Sequence, residues 1–170
     1  ALNSTNTKNR VLYNNDGDNA FISVTTSGST STYIGLNEDG FGIANSLVSS
    51  DDEFNEEQRC DEHKLIKYAL ENFSLVSEFE NFIMNGDSLS SLNCGENDYI
   101  VSNFAVIDTL GNGKIFEIDT SSNNIESASL GDSLYLVRSN HFVLLDHSDL
   151  ENFGIDFDIV SCEDLNSNYF

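Results

Sequence analysis

The chain has 170 residues, 39% of them hydrophobic and 11% aromatic, and its 29 acidic residues against 7 basic give a formal net charge of −22. That length is one domain by prior, spanning 1–170, and it buries about two-thirds of its unfolded surface without needing disulfides or metals. No apolar run is long enough to span a bilayer, and phosphate backbones and anionic lipids are bound through clustered Lys and Arg, so nucleic-acid and membrane partners are excluded.

The acidic excess reads either as a solubilising coat or as a field that steers cationic substrates. Cys60, Cys94 and Cys162 are widely spaced and odd in number. They form no C-x-x-C metal clip, and one bridge with one free thiol is the fullest pairing open to them. Proline is absent, which leaves the turns to Gly, Asn, Asp and Ser. A chain that opens on Ala1 without Met reads as processed or trimmed at its front, and no signal or transit segment is visible. Asn3-Ser4-Thr5 and Asn72-Phe73-Ser74 fit the glycosylation sequon, a match that chance supplies readily in a chain rich in Asn and Ser.

In chain order, Arg10–Tyr13 predicts a short strand running into a turn loaded with carboxylates, Asn14 to Asp18. Ala20–Thr26 has Ile22 breaking its alternation, which fits a strand covered on both faces. Ser31–Leu36 and Phe41–Val48 make two more strands around the turn Asn37-Glu38-Asp39-Gly40, where Gly40 is free to take positive φ. These four strands predict a meander. Asn37 sits at the mouth of the last hairpin, where an amide fixed by flanking strands either stabilises its own turn or aims an N–H at a developing oxyanion.

Ser49–Arg59 reads as an acidic loop. Asp61–Phe73 carries Leu65, Ala69 and Phe73 at helical spacing, flanked by Ile66 and Leu70, and predicts an amphipathic helix. Ser74 can cap a second helix with Val76, Phe79, Phe82 and Ile83 on one side, ending near Asn85-Gly86. Strand character returns at Tyr99–Asp108, Lys114–Asp119, Ile125–Ser129 and Leu134–Arg138, with Gly111-Asn112-Gly113 as a hairpin turn. Four strands, two helices and four strands do not suit a parallel α/β fold. They predict an α+β protein of two stacked antiparallel sheets, with the helices on an outer face burying Leu65, Leu70, Phe79 and Ile83.

Three stretches then resemble a known family. VLYNNDGD (11–18) is similar to a strand ending in R-N-x-D, GLNEDG (35–40) to G-x-N-E-x-G, and SNFAVIDTLGNGKIFEID followed by LVRSNHF to N-F-x-x-x-D-x-x-G-x-x-x-x-x-E and T-N-H-F. In this order they resemble the N-terminal-nucleophile hydrolases, in the branch of penicillin V acylases, bile-salt hydrolases and penicillin-acyltransferase-like peptidases. The resemblance implies a four-layered αββα sandwich, left incomplete at the C-terminus, where the family's later S-x-x-R strand would lie beyond Phe170. It also implies an amidohydrolase or acyltransferase acting on a linear amide, with the side chain of the first residue attacking and its own α-amine, of pKa ~8, serving as base.

Position by position, the resemblance puts Ala1 at the place of the nucleophile, usually Cys, and gives Asp18 the task of orienting the α-amine. Asn37 and Asn140 correspond to oxyanion-hole or substrate-orienting amides. Asn15 stands where the motif has arginine, and Arg138 and His141 fall where they can line a substrate pocket. A small-molecule amide substrate is implied, without cofactor or metal, and homo-oligomerisation is left open. Ala1 and Asn15 are departures that favour an alternative, a non-catalytic binding or assembly module on the same fold. Asp108 and Glu117 correspond to positions that set hairpin register and polar satisfaction. Asp146-His147-Ser148 reads as a polar loop, because triads are built from distant positions. His63 reads as a surface or satisfied histidine, and Asp16–Asp18 lacks the ligand spacing of a calcium loop.

Overall fold

The computed structural model describes residues 9–15, 17–26, 31–47, 60–85, 91–95, 98–120 and 123–130. They form β1 (Asn9–Asn14), β2 (Phe21–Thr26), β3 (Ile34–Asn37), β4 (Gly42–Leu47), α1 (Glu62–Asn72), α2 (Val76–Met84), β5 (Val101–Ile107), β6 (Gly113–Asp119) and β7 (Asn124–Ser129). The meander, both helices and the second hairpin therefore stand where periodicity predicts them. The expected strand Leu134–Arg138 and loop Ser49–Arg59 lie outside the described residues.

The described strands before and after the helices join edge to edge in one seven-stranded antiparallel sheet in the order β1-β2-β3-β4-β5-β6-β7, so one sheet of the expected pair falls within the described residues. The join is β4 against β5, from Gly42↔Ile107 to Leu47↔Ser102. After the hairpin with β3, the second edge of β4 still presents unpaired N–H and C=O groups, and β5 satisfies them when the chain returns from its helical excursion. Among the described residues there is thus one sheet and one helical layer.

Pleating sends alternate residues to opposite faces. On one face Phe21, Ile43, Phe104, Val106, Phe116 and Ile118 are buried in one cluster with Leu65, Ile66, Ala69 and Leu70 of α1 and Val76, Phe79 and Ile83 of α2. Gly35 permits the close approach of α1, because a Cβ there would collide with Leu70. Phe79 sits at the centre, with ring centroids 5.3 Å from Phe116 and 6.3 Å from each of Phe41, Phe73 and Phe104.

The other face is different. Strand register aligns Val11, Val24, Ile34, Ala44 and Ala105 in one row, and Tyr13, Ile22, Leu36, Gly42 and Ile107 in the next. Val11 is 73% exposed, Ile107 56% and Ile22 50%. The rows line an open hollow of about 460 Å³ with almost no polar surface. A third row, Ser46, Asn103, Glu117 and Glu126, is polar, with Asn103 and Glu117 buried. This places Glu117, buried within β6, in cross-strand register with Asn103.

A disulfide joins Cys60 to Cys94 with Cα atoms 5.6 Å apart, tying the chain that enters α1 to the chain that leaves α2. Cys162 lies outside the described residues.

Candidate functional site

The antiparallel register puts the β1–β2, β3–β4 and β5–β6 turns at one end of the sheet. The C-terminus of α1 and the N-terminus of α2 meet them there. Asn37 is the centre of this junction and is only 4% exposed. Its Nδ2 donates to Leu70 O at 3.0 Å and to Phe73 O at 2.7 Å, while its Oδ1 accepts from Phe41 N at 2.9 Å. The last carbonyls of a helix have no partner within it, and α1 has no basic residue in its last turn. The Asn37 amide fills that role.

Of the two readings of Asn37, the bonds described are those of the structural one: its N–H groups reach Leu70 O at the end of α1 and Phe73 O just past it, and it faces the helical layer. The physical reason is that Gly40, at φ +85°, closes the turn so that Asn37 N and Phe41 O also pair, at 3.0 Å, which directs the side chain onto the helix end.

Neighbouring residues of the motif work in the same way. Glu38 N donates to Ala20 O at 2.8 Å, and Ala20 N donates to Glu38 Oε1 at 2.8 Å. Asn19 N donates to Glu71 O at 3.0 Å, and Ser74 Oγ donates to Asp39 Oδ2 at 2.5 Å. Ser74 is therefore not the cap of α2. Glu78 Oε2 accepts from Ser74 N and Leu75 N at 2.8 and 2.9 Å, so the acid of the first turn does the capping. Sequence reasoning missed Asn19, and it read Asp39 only as a turn former and Ser74 as a helix cap, not as partners of each other.

Asp108 completes the junction from the β5–β6 hairpin. Its Oδ2 accepts from Val76 N at 3.0 Å, at the start of α2, and its Oδ1 accepts from Leu110 N and Asn112 N at 3.0 and 3.1 Å. Burial pushes the carboxyl up, but the Asn112 side chain and the three backbone N–H groups outweigh it and leave Asp108 below the ordinary carboxylate value. A depressed folded pKa contributes stability that is fully present above the unfolded value of 3.8 and is lost as pH falls through the folded value. Wild type and Asp108→Asn should therefore differ most in thermal midpoint near neutral pH and converge as acid is added below about pH 4.

Of the residues implied by the family resemblance, Asn15 and Asp18 are exposed in or beside the β1–β2 turn, at the same sheet end as Asn37. Ala1, Arg138, Asn140 and His141 lie outside the described residues, as do Asp146, His147 and Ser148. His63 is held by its contacts: Nδ1 lies 2.8 Å from Thr32 O and the ring packs edge-on against Tyr33. Among the described residues, Cys60, Cys94 and Asp98 gather closely enough for a metal, but the two sulfurs are joined to each other and offer no thiolate.

No family model and no curated protein matches the chain. Among solved structures, it is similar to a variant of conjugated bile acid hydrolase from Clostridium perfringens, at 17% identity and TM-score 0.45, over 74% of this chain and 44% of that one. A second mutant of the same hydrolase gives 17% and 0.46 over the same shares. Penicillin V acylase from Agrobacterium tumefaciens gives 21% and 0.40, over 70% of this chain and 38% of that one. The chain spans less than half the length of each.

Proposed function

We propose that the chain belongs to a four-layered αββα sandwich that hydrolyses or transfers the acyl group of a linear, small-molecule amide through an N-terminal nucleophile. The observation that carries the reading is the bare face of the sheet. Among the described residues its helical side is closed by a core of its own, whereas two rows of the opposite side are apolar and largely exposed. An apolar face running over five strands, β1 to β5, calls for a cover, and a second pleated sheet packed about 10 Å away is its natural complement. That is the architecture implied by the VLYNNDGD, GLNEDG and SNF…NHF stretches.

In this reading the side chain at the position of Ala1 attacks the amide carbonyl, and the α-amine of the same residue takes its proton. Asp18 orients the amine, Asn140 donates to the oxyanion, and Asn15, Arg138 and His141 border the substrate. Asn37 holds the scaffold and touches no reacting atom. No cofactor or metal is called on.

The test restores the nucleophile. Ala1→Cys, prepared with a free α-amine in the longest native form of the protein, should release acid from some member of an acyl-amide panel that begins with conjugated bile acids and penicillin V. Asn140→Ala in that background should lower kcat about 100-fold. If Cys at residue 1 takes up no acyl group from a thiol-directed acylating probe, the reading fails. The non-catalytic module then stands in its place, a reading favoured by the complete engagement of the Asn37 amide in structure.

A further inference from the structure

We propose that Asn72 is an N-linked glycan acceptor, on a helical layer stapled by the Cys60–Cys94 disulfide in the same oxidising compartment. This goes beyond the amidohydrolase reading and does not depend on it. Asn72-Phe73-Ser74 is the sequon that falls within the described residues. Asn72 ends α1 with its side chain exposed, on the side of the sheet opposite the bare apolar face. A glycan there projects from the outer surface of the helical layer and leaves the apolar rows free for their cover. The side chain also suits the modification chemically. Nδ2 donates one N–H to Tyr68 O at 2.8 Å, and a glycosylated amide keeps one N–H, so the bond survives attachment of the sugar.

The second observation is the disulfide. Cys60 and Cys94 are 34 residues apart, and their Cα atoms stand 5.6 Å apart, inside the usual range for a bridge. Such bonds form and persist in oxidising compartments and are rare where thiols are kept reduced. Sequon glycosylation takes place in compartments of the first kind, so the two features point to one route. The steps balance. The two thiols give up two electrons and two protons to a disulfide-bearing oxidant, which leaves as its dithiol. The Asn72 amide nitrogen displaces diphosphate from the anomeric carbon of a lipid-linked oligosaccharide: an N–C bond forms, the C–O bond to phosphate breaks, the lipid diphosphate leaves and one amide proton is released.

The experiment uses the full protein isolated from the cells that make it, quenched in acid and alkylated before digestion. The peptide holding Asn72 should carry a glycan, and peptide N-glycosidase in heavy-oxygen water should convert Asn72 to a heavy-labelled Asp. Cys60 and Cys94 should appear as one linked peptide pair until reduction. Asn72→Gln, expressed in the same cells, should lose the mass of one glycan while keeping the thermal midpoint of the enzymatically deglycosylated wild type; sugar remaining on that variant is assigned to Asn3. An unmodified Asn72 peptide, an Asn72→Gln protein of undiminished glycan mass, or alkylated free thiols at both Cys60 and Cys94 would overturn the proposal.

Discussion

Asn37→Ala is expected to destabilise the fold by about 4 kcal/mol, because a buried side chain loses three hydrogen bonds and orphans the groups it served, at about 1–3 kcal/mol for each buried group left unsatisfied. The orphans are Leu70 O and Phe41 N, while Phe73 O keeps only a longer bond from Asn19 Nδ2 at 3.4 Å. In urea titration the midpoint should fall at unchanged slope, since the folded state still buries the same surface. Asn37→Asp should be no milder: a carboxylate cannot donate, and it would face helix carbonyls that already carry negative partial charge. An amide reserved for catalysis behaves in the opposite way, leaving the midpoint in place while turnover collapses. The same titration thus separates the two roles of this residue without needing a substrate.

Phe79→Ala should cost about 3–5 kcal/mol, the range for removing a fully buried aromatic. Phe79 has no exposed surface, and its ring meets Phe41 and Phe73 on one side and Phe104 and Phe116 of the sheet on the other. Four aromatic rings held by backbone on separate elements cannot collapse into the space one phenyl leaves, which puts the cost toward the upper end of that range. Phe79→Leu fills part of the hole and should recover more than half of the loss. The exposed Met84 at the end of the same helix is the internal control, and Met84→Ala should move the midpoint little.

What the sequence disclosed follows the range of the forces involved. Alternation and helical spacing are local, and they placed nine elements to within a few residues. The pairing of β4 with β5 is not local. Nothing in Phe41–Val48 or Tyr99–Asp108 distinguishes neighbours in one sheet from partners in two, so only the fold shows that these strands share one sheet. The two roles open to Asn37 stayed open for the same reason: its partners Leu70 and Phe73 lie 33 and 36 residues away, beyond the reach of any turn rule. Within the described residues, the asparagine of GLNEDG fastens the end of α1. Asp108, which the family resemblance assigned to hairpin register, bonds Leu110 and Asn112 near it in sequence. Only its reach to Val76 required the fold.

The position of Asp18 relative to the two site residues outside the described range decides the functional reading. A crystal structure in which residue 1, Asp18 and Asn140 are all visible measures it directly. The account predicts that the α-amino nitrogen of residue 1 lies within hydrogen-bond reach of the Asp18 carboxylate, and that the Asn140 amide points to a spot roughly 3 Å from where an attacked carbonyl oxygen would sit. Such convergence is not needed for folding, since Asp18 is exposed and the helical core is complete without it. Side chains that open into three separate environments, or a residue 1 held on the helical face of the sheet, would contradict it.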